Sequence, residues 1–140
     1  MMFVRSFDMP RRNLNPPERA LFERPNHAVL GTIRPDGQPQ VTPVWVMLEG
    51  KRAVVNSAAG RAKVRNVQRD PRATVTVLDP ADWNRWVSIE GRVVEVTEDG
   101  AKEHADVVSQ FYDGTPFRDL EPGEVRVRIV IEPDRVNSEL

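Results

Sequence analysis

At 140 residues without a single cysteine, the chain has the length of one domain, held by burial alone. Disulfides, thiolate nucleophiles and cysteine-bound metals are excluded. Twenty basic residues against 21 acidic ones leave a net charge of −1, which argues against a general nucleic-acid surface. No stretch approaches the ~18 apolar residues of a membrane helix, and the first residues lack the apolar centre of a secretory leader; a cytoplasmic protein is expected.

In chain order, residues 1–15 are polar and proline-containing and predict an arm ahead of a single domain over 16–140. "PPERALFER" predicts a short helix, with proline at its start and Ala20 and Leu21 as its apolar residues. "HAVLGTIRPDGQPQVTPVWVMLEGKRAVVNS" then reads as three antiparallel strands in a meander, with His27 capping the first. Asp36-Gly37 and Glu49-Gly50 supply the tight turns. After Gly60 a short helix carries Val64 and Val67 and ends near Asp70-Pro71, because proline disfavours helical geometry in the residue before it.

"RATVTVLD" is the next strand, and "NRWVSIEGRVVEVTE" a long one whose inward phase changes. Val87 and Ile89 share one face; Val94 and Val96 take the other parity, and Gly91 stands at the slip, where a bulge or bend is expected. "EDGAKEHADVVSQFYDG" predicts a helix with Ala101, Ala105, Val108 and Phe111 on its apolar face, His104 on its polar face and Tyr112 packing near its end. "EVRVRIVIE" alternates, with Val125, Val127, Ile129 and Ile131 opposite Arg126 and Arg128. Six antiparallel strands and a few short helices make a small, closed or partly closed β-barrel. Pattern does not give the strand order.

One segment resists this bland description. "SAAGRAKVRNVQRDPRATVTV" gathers Arg61, Lys63, Arg65, Arg69 and Arg72 within twelve positions. A helix start carries unpaired N–H groups and a partial positive charge, so each cation in its first turn costs about 0.3–1 kcal/mol. Arg61, Arg65 and Arg69 also stack at i, i+4 and i+8, adding repulsion of roughly 0.2–0.5 kcal/mol per pair. A bound phosphate would turn all of these into attractions, and Gly60 would let the backbone approach it closely. The alternative is that the arginines are solvated, or paired with an acid such as Asp70.

With "GTIRPDGQPQVTPVWV", "NSAAGRAKVRNVQRDPRATVTV" and "WVSIEGRVVEV", the chain resembles the pyridoxamine 5'-phosphate oxidase-like split β-barrel family over roughly residues 25–135. It is most similar to the branch that uses the deazaflavin coenzyme F420 rather than FMN, and "RAKVRNVQRDPRA" is the most specific part of the likeness. The resemblance implies a six-stranded split barrel and a homodimer with the cofactor in the groove between subunits. It implies that Arg61 and Lys63 hold the cofactor phosphate, with a backbone contact from Ala62, and that Arg65 meets the polyglutamate tail. Thr42, Pro43 and Val44 would line the ring site, Asn56 and Ser57 would approach the ring or ribityl chain, and Trp86 would come from the partner subunit. The implied activity is hydride transfer from reduced deazaflavin to an unsaturated small organic substrate. Vitamin B6 oxidases of this family end in an Arg-x-His segment that "PDRVNSEL" lacks, which argues against pyridoxamine phosphate as substrate. Many deazaflavin relatives also continue with a further aromatic residue.

Other candidates are weaker. Trp45 falls beside the implied ring site and Trp83 at its rim, although tryptophan is more often core or interface. His27 and His104 lack metal-ligand spacing, and Ser57 and Ser88 lack a base, so neither a metal nor a catalytic triad is expected. Glu90 is expected to pair with an arginine. The want of an acid–base pair suits a site where a bound ring carries the hydride and protein supplies orientation and electrostatics. Two alternatives stay open: FMN in place of F420, and a non-enzymatic module that binds anions or nucleic acid.

Overall fold

The computed structural model describes residues 11–140; residues 1–10, most of the predicted arm, lie outside the described residues. Three helices, α1 (Pro16–Phe22), α2 (Ala62–Arg69) and α3 (Ala101–Asp113), accompany seven strands. These are β1 (Ala28–Ile33), β2 (Pro39–Val44), β3 (Val46–Glu49), β4 (Arg52–Ala58), β5 (Arg72–Asp79), β6 (Asp82–Thr97) and β7 (Arg126–Glu139). They form one antiparallel sheet in the order β2-β1-β5-β6-β7-β4-β3. No helix among the described residues is long and apolar enough to cross a membrane.

The strand count exceeds the expected six because the middle strand of the meander is broken at Trp45. Its first half pairs with β1 and its second half with β4. The two outermost strands of the sheet are thus successive pieces of one segment, separated by a single residue. The sheet curls so that its two edge strands join at Trp45, which gives the split barrel, and β2 and β3 do not pair with each other. Sequence alternation fills the interior: Leu30, Val55, Val75, Val77, Val87, Ile89, Ile129 and Ile131 are all buried. α3 lies on the outer side of β7 and β4, burying Ala101, Ala105 and Val108, so β7 is covered on both faces. Val130 and Arg126 are therefore buried as well, whereas Val125, expected inside, precedes the strand and is exposed.

The slip in β6 occurs where Gly91 predicts it. The β6–β7 register shifts between Glu90 and Gly91, and again between Val93 and Glu95. The second shift corrects the expected inward set: Val93 and Val96 pack against the core, and Val94 is exposed. Gly91 stands opposite Pro133, a residue with no N–H to offer the ladder, so the bulge sits where pairing is already interrupted. Among the described residues Glu90 does not find the expected arginine; its carboxylate accepts from the Asn137 amide.

α1 closes one end of the barrel with Leu21 and Phe22. Asn15 and Glu18 form a capping box: the Glu18 N–H donates to Asn15 Oδ1 at 3.0 Å, and the Asn15 N–H donates to Glu18 Oε1 at 2.8 Å. Glu18 is fully buried, receives the Arg11 guanidinium and the Ser138 hydroxyl (2.5 Å), and is held down at about 2, chiefly by Arg11. The Val136 N–H donates to Arg11 O at 2.7 Å, so residues 11–15 are tied to β7. A depressed carboxylate contributes stability above its unfolded pKa and loses it as pH falls toward the folded value. The chain is expected to lose stability between about pH 4.5 and 2. Glu18→Gln should be less stable at pH 7 and flatter across that window in urea unfolding; an unchanged pH profile would remove Glu18 from the account.

Candidate functional site

The C-terminal end of β4 runs into Ala59 and Gly60, where the chain reverses; Gly60 takes φ +89°, with open space around its α-carbon. Arg61 is the N-cap of α2 and offers no side-chain cap, and the first turn holds no acid. Val64 and Val67 are buried under the helix, while the buried Asn66 amide donates to Thr32 Oγ1 at 3.1 Å and Gln40 Oε1 at 2.9 Å. These contacts pin α2 to β1 and β2, so that Arg61 and Lys63 at its start line a cleft of about 290 Å³.

Pro43, Val44 and Trp45 form the apolar wall of that cleft, and Asn56 and Ser57 approach from β4. Ala105 and Val108 of α3 close one side; Arg61 and Lys63 lie on another. Phe117, Arg118 and Arg126 complete the lining. Trp45 is held by a stack on Tyr112, with ring centroids 5.1 Å apart and an interplanar angle of 5°. The Tyr112 hydroxyl donates to Asn26 O at 2.7 Å and accepts from the Val46 N–H at 3.2 Å, locking the break between β2 and β3. Tyr112 is thus a packing residue that sets the wall.

Six of the ten sequence-predicted residues meet in this cleft: Pro43, Val44, Asn56, Ser57, Arg61 and Lys63. Thr42 is the neighbour of the wall, its hydroxyl buried and unpartnered among the described residues; Ala62 is half-buried in the first turn of α2. Arg65 folds back on its own loop, donating to Gly60 O at 2.9 Å. Trp86, half-buried, lies on β6 between Leu78 and Glu139, at the opposite end of that strand from the residues that neighbour the cleft-facing part of β7. Trp83 stands exposed in β6, not in a loop, and does not line this cleft.

The five-cation cluster therefore divides. Arg72 pairs with Asp70 at 2.7 Å, and Arg69 donates to the Ile33 carbonyl and the Asn66 side chain. Arg61 and Lys63, by contrast, have no ion-pair partner among the described residues. Burial pushes the Lys63 ammonium below the ordinary lysine range, and Arg61 and Arg126 push it further.

Sequence reading missed half of the electrostatics. Arg126 appeared as an outward strand residue, but α3 and the 114–125 loop cover that face. Its guanidinium lies 4.6 Å from the Phe117 ring centroid, donates through Nε to Asn56 Oδ1 at 2.9 Å, and reaches Glu124 at 2.8 Å. Glu124 also takes both nitrogens of the Arg118 fork, at 2.7 and 2.9 Å, and is held at about 2, first by Arg118. The cleft thus gathers four cations, Arg61, Lys63, Arg118 and Arg126, of which Glu124 pairs with only the last two. The alternation of "EVRVRIVIE" gave no signal of this, since Arg126 and Arg128 share the face that a strand with one solvated side would expose. His104 is a correction too: it is buried, not on a polar face, and sits 2.9 Å from the Asn56 amide.

This arrangement can hold an anionic group at the start of α2 and a flat group along Pro43–Trp45. A family model, "Pyridoxamine 5'-phosphate oxidase", matches residues 14–138. The chain belongs to the pyridoxamine 5'-phosphate oxidase family. Within this family of flavin-binding, split-barrel oxidoreductases the chain is similar to an F420 reductase of known structure, with 28% identity and a TM-score of 0.78. That match covers 89% of this chain and 98% of the other. A conserved hypothetical protein from Mycobacterium tuberculosis is 26% identical at a TM-score of 0.72, covering 91% of this chain and 85% of that one. General Stress Protein 26 from Bacillus anthracis shares the pyridoxamine 5'-phosphate oxidase fold at 19% identity and a TM-score of 0.67, covering 86% and 89% of the two chains.

Proposed function

We propose that this chain is an F420-dependent reductase, in which Arg61, Lys63 and the first N–H groups of α2 hold the cofactor phosphate. The observation that carries this reading is the partly buried, unpaired Lys63 beside Arg61 at an uncapped helix start. Such an arrangement is unfavourable alone and becomes favourable around an anion. The apolar wall Pro43–Trp45 suits a flat ring, and Ser57 from β4 would hydrogen-bond its edge or side chain. Likeness to an F420 reductase over nearly its whole length supports the deazaflavin over other flavins.

The bound deazaflavin supplies the hydride; the residues around it bind, orient and exclude water. The proposed acceptor is an unsaturated small organic molecule. Arg65 would meet the acidic tail by releasing Gly60 O, and Trp86 would reach the cofactor from the partner subunit of a homodimer working in the cytoplasm. FMN is the second reading, since the same cations would hold its phosphate. Titration with each cofactor, followed by flavin or deazaflavin fluorescence, separates them: submicromolar binding of F420 with much weaker FMN is expected. Preference for FMN would transfer the assignment to it. Salt-sensitive nucleic-acid binding with no affinity for either cofactor would leave an anion-binding module instead.

A further inference from the structure

The Asn56 side chain sits between two groups whose chemistry leaves it one orientation. Arg126 Nε–H can only donate, so the atom 2.9 Å from it must be Asn56 Oδ1. The amide nitrogen then faces Ala101 O at 2.9 Å, which can only accept, and His104 Nδ1 at 2.9 Å. Both amide hydrogens are therefore used, and His104 Nδ1 must be the unprotonated nitrogen. The imidazole proton rests on Nε2, which is buried, has no hydrogen-bond partner among the described residues and lies 3.9 Å from Glu49 Oε2.

We propose that His104 is a positioning residue of the anion site: as neutral imidazole it accepts from the Asn56 amide and so aims the Arg126 guanidinium into the cleft, and its protonation undoes that alignment. A hydrogen on Nδ1 would point at the Asn56 amide hydrogens. Flipping the amide would set its NH2 group against Arg126 Nε–H and its oxygen against Ala101 O, so no orientation satisfies all partners. The charged groups facing His104 are Glu49 from β3, Arg128 from β7 and, beyond Asn56, Arg126 from β7. Glu49 is already engaged by Arg128. Burial, then Arg128, lower the imidazole below its ordinary range, and Glu49 opposes them. A group depressed on folding keeps its contribution above its unfolded pKa and loses it as pH falls through the folded one. The relay is thus complete at neutral pH and fails only below the ordinary imidazole range, as His104 takes its proton.

The effect on cofactor binding rests on the proposed function; the relay itself does not. In the 15N-labelled full chain, the Arg126 Nε–H and Asn56 amide signals should be protected from exchange at pH 7. They should lose protection together as the His104 ring titrates, while amides of the core strands stay protected. His104→Asn, whose Oδ1 stands as many bonds from the backbone as the imidazole Nδ1 and accepts the same bond, should retain protection through that range. His104→Leu should lose it at pH 7 and weaken whichever of FMN or F420 binds by about fivefold or more, the scale of one lost hydrogen bond. Protection of Arg126 Nε–H that ignores the His104 titration in the wild-type chain, or survives in His104→Leu, overturns the proposal. If neither cofactor binds, the functional reading fails and the exchange data still decide the relay. If His104→Leu does not fold, the wild-type titration decides alone.

Discussion

Lys63→Ala is expected to weaken cofactor binding at least tenfold, about 1.4 kcal/mol or more, while leaving the apo fold as stable as before or slightly more so. Both halves follow from one arrangement. In the apo protein Lys63 is partly desolvated and faces Arg61 and Arg126, so its charge is an unreturned cost. Around a bound phosphate the same charge becomes an attraction, and the ammonium's affinity for its proton is restored. Binding must then weaken as pH rises through the lowered lysine value, because a neutral amine no longer attracts the anion. Lys63→Arg should keep binding flat over that range, since guanidinium stays charged. Isothermal titration of wild type, Lys63→Ala and Lys63→Arg at neutral and alkaline pH checks all three statements. Equal affinity in wild type and Lys63→Ala would take the phosphate away from α2.

Gly91→Ala should cost about 3 kcal/mol or more in urea unfolding, a large effect for one methyl group. A β-carbon there would stand 2.1 Å from the Glu132 carbonyl oxygen and 3.0 Å from its carbon. Both are backbone atoms of the paired strand, so no side chain can swing aside; β6 and β7 would have to part at the bulge. Gly31→Ala is the matched control in β1. Its nearest atom is Thr74 O at 3.8 Å, an ordinary contact, and the change should fall within about 1 kcal/mol of wild type. Similar losses in the two variants would mean that the β6–β7 approach is looser than the structure shows. The bulge also bears on the site, because β7 carries Arg126 to the cleft.

The division between what could be read in the chain and what could not follows the range of the forces involved. Alternation in β1, β5 and β7, the turn glycines, and the apolar stripe of α3 are local, each set by neighbours a few residues away, and they were legible. So was the electrostatic conflict at Arg61 and Lys63, since a helix start and its cations are adjacent in sequence. The break at Trp45 was not, because it depends on Tyr112 stacking from 67 residues downstream. Nor was the buried role of Arg126, His104 and Glu18, as each charge or ring is tolerated inside only through partners brought from other elements. Sequence alone determined a β-rich barrel with a cationic helix start. Tertiary structure decided which cations remain unpaired, because side chains are matched across space, where low dielectric makes a present or missing partner decisive.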